Sequence, residues 1–428
     1  MHLRLILFLF FTYATRNLSN CSTMRSFKLH KIKLKLLADT MNPFIPSLEI
    51  ASKIPHHKGQ HGRIAVIGGS EDYTGAPYYA GISSLKLGAE LAFVFCAKEA
   101  AIPIKTYSPE LMVTPFYSSF DLEELSNIDS NSSFYTEKVQ SLSSKVIQNF
   151  SRFNSLVIGP GLGRNKYVLD IVTNIIIAAV DNNIPFVIDA DGIYLLRNSD
   201  KLLSSILTGY KRCILTPNAI EFEALIDYVV NKSHFYNNNE DTFNILKSKD
   251  TSDVIRLKVV SSLLNLTIIR KGPTDYISSG NDVFALADNV GSPRRCGGQG
   301  DILSGCLALA LHWCTPAKSL LFDAHGLFAT SPLQPLLPEL STIIERDNDM
   351  SFDVTAIFDL PEEFSEESRY NGTETETTSI LASLFATYIT RKASESAFNT
   401  SKRSTLSSDI IGEIGEVMNS FEKESIRC

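Results

Sequence analysis

Two kinds of block alternate along this chain. Arg63-Ile-Ala-Val-Ile-Gly-Gly69, Leu91 to Cys96, Leu156-Val-Ile-Gly-Pro-Gly-Leu-Gly163, Phe186-Val-Ile-Asp-Ala-Asp191, Cys213-Ile-Leu-Thr-Pro-Asn218 and Leu266-Thr-Ile-Ile-Arg-Lys-Gly272 are short, nearly continuous apolar runs. Between them, Pro77 to Leu91, Tyr167 to Ala179 and Asn218 to Val229 carry apolar residues at helical spacing. Short runs that never alternate with polar residues suit strands buried on both faces. Their interleaving with helices predicts an α/β protein with a parallel sheet covered on both sides. Two further helices are expected over Ile380 to Ala397 and Asp409 to Phe421.

The polar residues carry the next inference. Gly68-Gly69, Gly161 and Gly163, Asp189 and Asp191, Asn218 and Glu221, and Lys271-Gly272 each follow directly on an apolar run. In open parallel sheets ligands bind at the C-terminal ends of the strands. These residues are therefore expected along one edge as one extended site. Three stretches read as surface excursions: Tyr117 to Glu137, Asn231 to Asp250, and Gln334 to Thr378. The last is strongly acidic, with only Arg346 and Arg369 as basic residues, and reads as a flexible, solvated insertion.

The richest turn is Gly291-Ser-Pro-Arg-Arg-Cys-Gly-Gly-Gln-Gly-Asp301, which runs into the apolar Ile302-Leu-Ser-Gly-Cys-Leu-Ala-Leu309. Glycines let a backbone approach a ligand closely, and the first turn of a helix leaves N–H groups unpaired. Together they form an anion site. Asp301 puts a carboxylate beside that anion, as a base next to a phosphate in transfer would be. An Asp-capped, glycine-rich helix start is the plainer reading of the same residues. No G-x-x-x-x-G-K-[ST] occurs, and neither Gly68-Gly69-Ser70 nor Gly159-x-Gly161-x-Gly163 has the spacing of a dinucleotide fingerprint.

Composition narrows the class. The 428 residues are 44% apolar and 20% charged, as in a globular protein with a sizeable core. A net charge of −7 argues against a general nucleic-acid binder. The seven cysteines form no C-x-x-C pair, which fits buried thiols rather than disulfides or a zinc site. The apolar run Leu5 to Phe11 is too short to span a bilayer. Met24 to Met41 is basic and amphipathic, like a mitochondrial presequence. Residues 1–45 are thus expected to be a targeting or disordered segment and 46–428 the domain, in a mitochondrial or cytoplasmic protein, with Met24 and Met41 as alternative starts.

His57-Lys-Gly-Gln-His-Gly-Arg63, Tyr73-Thr-Gly-Ala-Pro77, Gly159-Pro-Gly-Leu-Gly163, Asp189-Ala-Asp-Gly192, Leu215-Thr-Pro-Asn-Ala-Ile-Glu-Phe222, Arg270-Lys-Gly272 and Cys296-Gly-Gly-Gln-Gly-Asp301 occur in this order. Together they resemble the ATP-dependent (S)-NAD(P)H-hydrate dehydratases of the ribokinase-like superfamily. The resemblance covers roughly Pro46 to Thr330 and Ile380 to Phe421. It implies a three-layer α/β/α sandwich that uses ATP to return hydrated NADH and NADPH (NADHX and NADPHX) to the intact cofactors. By resemblance, Asp301 is the catalytic base and also touches substrate. Gly163 and Asn218, Ala219, Ile220, Glu221, Phe222, Glu223 and Ala224 bind substrate. Lys271, Gly272, Pro273, Thr274 and Asp275, with Gly291, Ser292, Pro293, Arg294, Arg295, Cys296, Gly297, Gly298, Gln299 and Gly300, bind ATP. Pro273-Thr274 and Pro293 depart from the family's usual residues. Asn218-x-x-Glu221 also matches the spacing that organises Mg²⁺ through water, although an Asn cap with Glu in the first turn looks the same. The expected ligands are ATP, Mg²⁺ and the hydrated cofactors, with no membrane span; assembly into a homo-oligomer stays open. A ribokinase-like kinase for a vitamin precursor shares the phosphate turn but would release a stable phosphoester. A non-catalytic nucleotide binder would not need Asp301.

Overall fold

A computed structural model describes residues 25–26, 29–46, 58–199, 202–232, 235, 239–280, 282–287, 291–315, 355–356 and 366–424. Ten strands form one sheet: β1 (Leu29–Ile32), β2 (Arg63–Ile67), β3 (Leu91–Ala97), β4 (Leu111–Tyr117), β5 (Ser155–Ile158), β6 (Phe186–Ile188), β7 (Cys213–Leu215), β8 (Thr267–Arg270), β9 (Tyr276–Ser278) and β10 (Val283–Leu286). Their spatial order is β1-β10-β9-β8-β7-β6-β5-β2-β3-β4. Every pairing is parallel except those of β9 with its two neighbours. All residues of β5, β6 and β7 are buried, so their unbroken apolar runs face helices on both sides. β1 at the edge alternates instead, with His30 and Ile32 in and Lys31 out.

One helical layer contains α1 (Leu34–Met41), α2 (Gly75–Leu87), α11 (Gln299–Trp313), α12 (Glu366–Ser401) and α13 (Ser407–Glu424). The other is built from α4 (Ser119–Ser126), α5 (Ser133–Ile147), α6 (Lys166–Asp181), α7 (Asp191–Asn198), α8 (Ala219–Val230), α9 (Glu240–Lys247) and α10 (Asp253–Leu264), with α3 (Lys98–Tyr107) beside β4. α11 is buried from Ile302 through Trp313, because it lies between the sheet and α2 and α12. That explains a helix apolar on every face. Gly305 permits the contact: a β-carbon there would collide with the Ala80 carbonyl of α2.

Several sequence expectations change. Residues 29–44, grouped with the leader, are part of the fold. β1 pairs in parallel with β10, and Leu37, Ala38 and Met41 of α1 are buried. The lysines misled because they occupy the exposed positions of an edge strand and a surface helix. Residues 1–24 lie outside the described residues. The excursion Tyr117 to Glu137 contains α4, which opens with a Ser118–Asp121 capping box, and the start of α5. Asn231 to Asp250 contains α9. Much of Gln334 to Thr378 lies outside the described residues; its last part, from Glu366, is helical and opens α12.

Candidate active site

The strand order reverses between β2 and β5: the chain goes outward to β3 and β4, then returns to the other side of β2. Ligands in doubly wound sheets bind where the order reverses in this way. Glycines after both strands meet at that point. The Gly69 N–H donates to the carbonyls of Pro160 and Gly161 at 3.1 Å each. Gly163 takes a positive φ of 79° and donates its N–H to Asp191 Oδ2 at 3.0 Å. Tyr73 and Pro77 stand against Gly161. The motif before β2 serves a different end of the molecule. The Gly59 and His61 amides donate to Glu90, and Trp313 Nε1 donates to the His61 carbonyl at 2.7 Å. Lys58 to Gly62 therefore braces the N-terminal edge of the sheet, away from the site; His57 lies outside the described residues.

Next along the same edge, Asp189 is almost fully buried at 1% exposure. It accepts from Lys271 Nζ at 2.6 Å and from Thr216 Oγ1 at 2.8 Å. Burial works against the Lys271 ammonium, but Asp189, Glu221 and Asp301 outweigh it and hold its pKa above the ordinary lysine value. Gly300 lies directly over this pair: a β-carbon on it would sit 3.1 Å from Lys271 Nζ and 3.6 Å from Asp189 Oδ2. Burial, then Asp189, raises the Asp301 pKa from 3.8 to about 7; Lys271 opposes this, and Glu221 and Asp191 add to it. A carboxyl so poised at neutral pH has the character of a general base. Glu221 is also raised, by burial first and then by Asp189 and Asp191, while Lys271 and the Asn218 amide lower it.

Two helix starts face this cluster. α8 is closed. Asn218 Oδ1 accepts from the Ile220 and Glu221 amides at 2.9 and 3.0 Å, and Glu221 Oε2 accepts from the Asn218 amide at 2.8 Å. The capping reading of Asn218-x-x-Glu221 is therefore realised. The Asn218 oxygen already serves two donors and does not fit a metal, whereas Glu221 Oε1 lies outside the cap. Among the described residues no group of three or more His, Cys, Asp or Glu side chains is placed to hold a metal ion.

α11 is open. Its capping residue is Gly298, left-handed at φ 97°, and no side chain caps it. A β-carbon on Gly298 would meet the Tyr79 ring at 2.6 Å, so glycine is required there. Nothing lies within 4 Å of where a β-carbon on Gly297 would stand. Free amides, open space and a helix dipole converge on this point.

The remaining predicted residues separate. Ala219 and Ile220 are exposed at the start of α8, with Ile220 82% exposed. Phe222 is a core side chain, and Glu223 pairs with Arg256 at 2.8 Å. Helical geometry thus gives the consecutive residues of this segment different surroundings. Ala224 is half-buried one turn further on. The Gly272 amide donates to Asp275 Oδ1 at 2.8 Å, closing a turn across Pro273 and Thr274. Ser292 Oγ accepts from the Arg294 amide at 3.0 Å, and Gln299 Nε2 donates to the Arg294 carbonyl at 3.3 Å. Pro293 and Arg295 are exposed; Cys296 sits 3.7 Å from Ser407 Oγ. Residues the sequence left aside, or read only as strand-end acids, include Asp189, Asp191, Thr216 and Arg391. For the first two, position at the end of β6 was the available signal.

An uncapped helix start beside a near-neutral carboxyl, at the C-terminal edge of a mostly parallel sheet, suits an anionic ligand, and the architecture is that of the ribokinase-like α/β proteins. Solved structures agree on the fold. A ribokinase-like superfamily protein of Enterococcus faecalis superposes with a TM-score of 0.56 at 16% identity, covering 92% of this chain and 96% of its own. The ADP/ATP-dependent NAD(P)H-hydrate dehydratase of Bacillus subtilis, co-crystallised with ATP/Mg²⁺, gives 0.50 at 16% identity, covering 91% and 97%.

Residues 64–330 match the NAD(P)H-hydrate dehydratase family model. The ATP-dependent (S)-NAD(P)H-hydrate dehydratase of Arabidopsis thaliana is 38% identical over 87% of this chain and 81% of its own length. That of Bos taurus is 34% identical over 91% and 92%. The chain belongs to the ATP-dependent (S)-NAD(P)H-hydrate dehydratase family.

Proposed function

We propose that this protein uses ATP to dehydrate the S epimer of hydrated NADH and NADPH, releasing NAD(P)H, ADP and phosphate. The observation that carries the reading is Asp301: a carboxyl with pKa about 7 at an uncapped, glycine-lined helix start. The open amides of Gly297 to Gly300 receive the γ-phosphate and the charge that grows on it. Asp301 takes the proton of the ring hydroxyl as that oxygen attacks phosphorus. The bond from phosphorus to the ADP oxygen breaks. The ring nitrogen's lone pair then expels the phosphate, a proton leaves the neighbouring carbon, and the ring double bond returns. Lys271, held by Asp189, supplies fixed positive charge beside the transferring group.

The site has an excess of carboxylate: Asp189, Glu221 and Asp301 act on the one lysine, and Asp191, paired with Arg164 at 3.3 Å, acts on Asp301 as well. That surplus fits a divalent cation carried in with the nucleotide, with Glu221 Oε1 as its protein contact. Such a cation would supply charge neutralisation of the phosphates. The compartment we place as mitochondrial or cytoplasmic. A chain starting at Met24 keeps every strand of the sheet; one starting at Met41 loses β1 and almost all of α1.

The test is the product balance. With ATP, Mg²⁺ and S-hydrated NADH, NADH, ADP and free phosphate should appear in equal amounts. A lasting phosphoester in the mass spectrum would overturn the reading. So would phosphorylation of a hydroxymethylpyrimidine or thiazole alcohol with hydrated NADH untouched.

A further inference from the structure

The two nucleotide loops are far apart in sequence, and one face of a third element, carrying Arg391 and Ser394, reaches both. Arg391, on α12, donates from Nη1 to Asp275 Oδ2 at 3.0 Å and to the Gly272 carbonyl at 3.3 Å. Its Nη2 donates to the Pro273 carbonyl. The same guanidinium lies beside Gly291, at the head of the phosphate loop: a β-carbon there would stand 3.5 Å from Nε. Gly291 has a φ of 148°, where side chains are strained, so the backbone conformation calls for glycine, while the guanidinium sits at ordinary contact distance from it. One turn along α12, Ser394 accepts from Gln299 Nε2 at 3.2 Å, and Gln299 is the first residue of α11. Residues three apart share a helix face. One face of α12 therefore touches the 272–275 turn, the start of the 291–300 loop and the first turn of α11.

We infer that Arg391 is a positioning residue for ATP, whose guanidinium fixes the spacing between these two loops. Asp275 is largely buried, and its two carboxylate oxygens divide the work: Oδ1 closes the Gly272 turn and Oδ2 anchors the turn to α12. Guanidinium presents its donors in a rigid planar fork, so three acceptors on one turn are held in one geometry; an ammonium cannot reproduce that. Pro273 contributes no N–H and a fixed φ, which leaves its carbonyl as the handle the fork takes. Loops held at a set separation bind a triphosphate without first being ordered, so the effect belongs to nucleotide binding and not to the proton transfer at Asp301.

The inference rests on the ATP-using reading of the site, and direct binding separates the two. Wild type and Arg391→Gln are titrated with a non-hydrolysable ATP analogue and Mg²⁺ by calorimetry, well below the melting temperature of each. Steady-state kinetics then give KM for ATP and for hydrated NADH. Arg391→Gln should bind the analogue about tenfold more weakly and raise KM for ATP in proportion, with kcat and KM for hydrated NADH within about twofold. Arg391→Lys should recover only part of the loss. Equal affinity in wild type and Arg391→Gln would overturn the inference, as would a general loss that moves both KM values alike. If Arg391→Gln does not fold, Arg391→Lys decides: wild-type affinity there contradicts the fork, and weaker binding supports it. Failure of wild type to bind the analogue would instead count against the ATP-using reading.

Discussion

The starts of α8 and α11 stand at the same edge of the sheet and follow glycine-poor and glycine-rich turns respectively. α8 satisfies itself: Asn218 takes two of its amides, and Glu221 folds back on the Asn218 N–H. α11 does not: it begins at a left-handed glycine with no side-chain cap, beside open space at Gly297. Both starts carry the partial positive charge of a helix dipole. Only the second leaves donors for an external anion. A polar residue near a helix start is therefore not itself a ligand contact. What matters is whether its hydrogen bonds are already used.

Closing the open start should have the largest effect. Gly297→Asp has open space at its β-carbon and adds a carboxylate beside the position the phosphate would take. It should fold normally and lower kcat/KM for ATP by about 100-fold or more, from like-charge repulsion. Gly297→Ala adds bulk without charge and should cost far less. Equal losses in both variants would mean that space, not charge, governs the turn.

The pH profile comes next. Asp301 acts only when ionised, and its pKa stands at about 7. Thus kcat/KM for hydrated NADH should be level above about pH 8 and fall roughly tenfold per unit well below 7. An inflection near the ordinary carboxylate range would remove burial from the account.

Stability should move the opposite way. The folded pKa of Asp301 lies above its unfolded value of 3.8, so the fold disfavours the charge. The penalty is absent below about pH 4, grows as pH rises towards 7, and is complete above it. Asp301→Asn should therefore be more stable than wild type near pH 8, by on the order of a few kcal/mol and with a higher melting temperature, and match it near pH 4. Calorimetric scans at the two pH values check this. Equal melting at pH 8 would show that the site relaxes around the charge.

The smallest effect belongs to the closed start. Asn218→Ala removes a cap and should cost about 1 kcal/mol of stability, with an unchanged Mg²⁺ requirement. A marked rise in the Mg²⁺ needed for half-maximal rate would return Asn218 to the metal.

Much of this contrast was legible in the sequence. The apolar runs placed β2, β3, β5, β6, β7 and β8, and the glycines after them marked the edge where ligands bind. Asp301 stood out because it alone is acidic in its loop. Other elements carry weaker patterns. β9 and β10 are three and four residues long, and β1 reads Leu-His-Lys-Ile, polar at its centre; all three exist because a neighbour pairs with them. Helices α3, α5 and α10 show no clean apolar stripe: α3 carries Pro103, α5 is serine-rich, and α10 buries Arg256 and Lys258 along with its apolar residues. Within the site, Asn218 to Ala224 looked like one substrate segment. The helix resolves it into exposed Ala219 and Ile220, a core Phe222 and a Glu223 that pairs with Arg256. Arg391 left no trace, being 116 positions from Asp275, where only packing brings them together.

The most direct test of the open start as the chemical centre is the rate of a single turnover in Asp301→Asn. With ATP saturating and S-hydrated NADH limiting, NADH recovery is followed near pH 8 alongside ATP affinity. The account predicts ATP binding close to wild type and a rate lower by about 10²–10⁴-fold. Recovery of NADH in Asp301→Asn at a rate near that of wild type would contradict it.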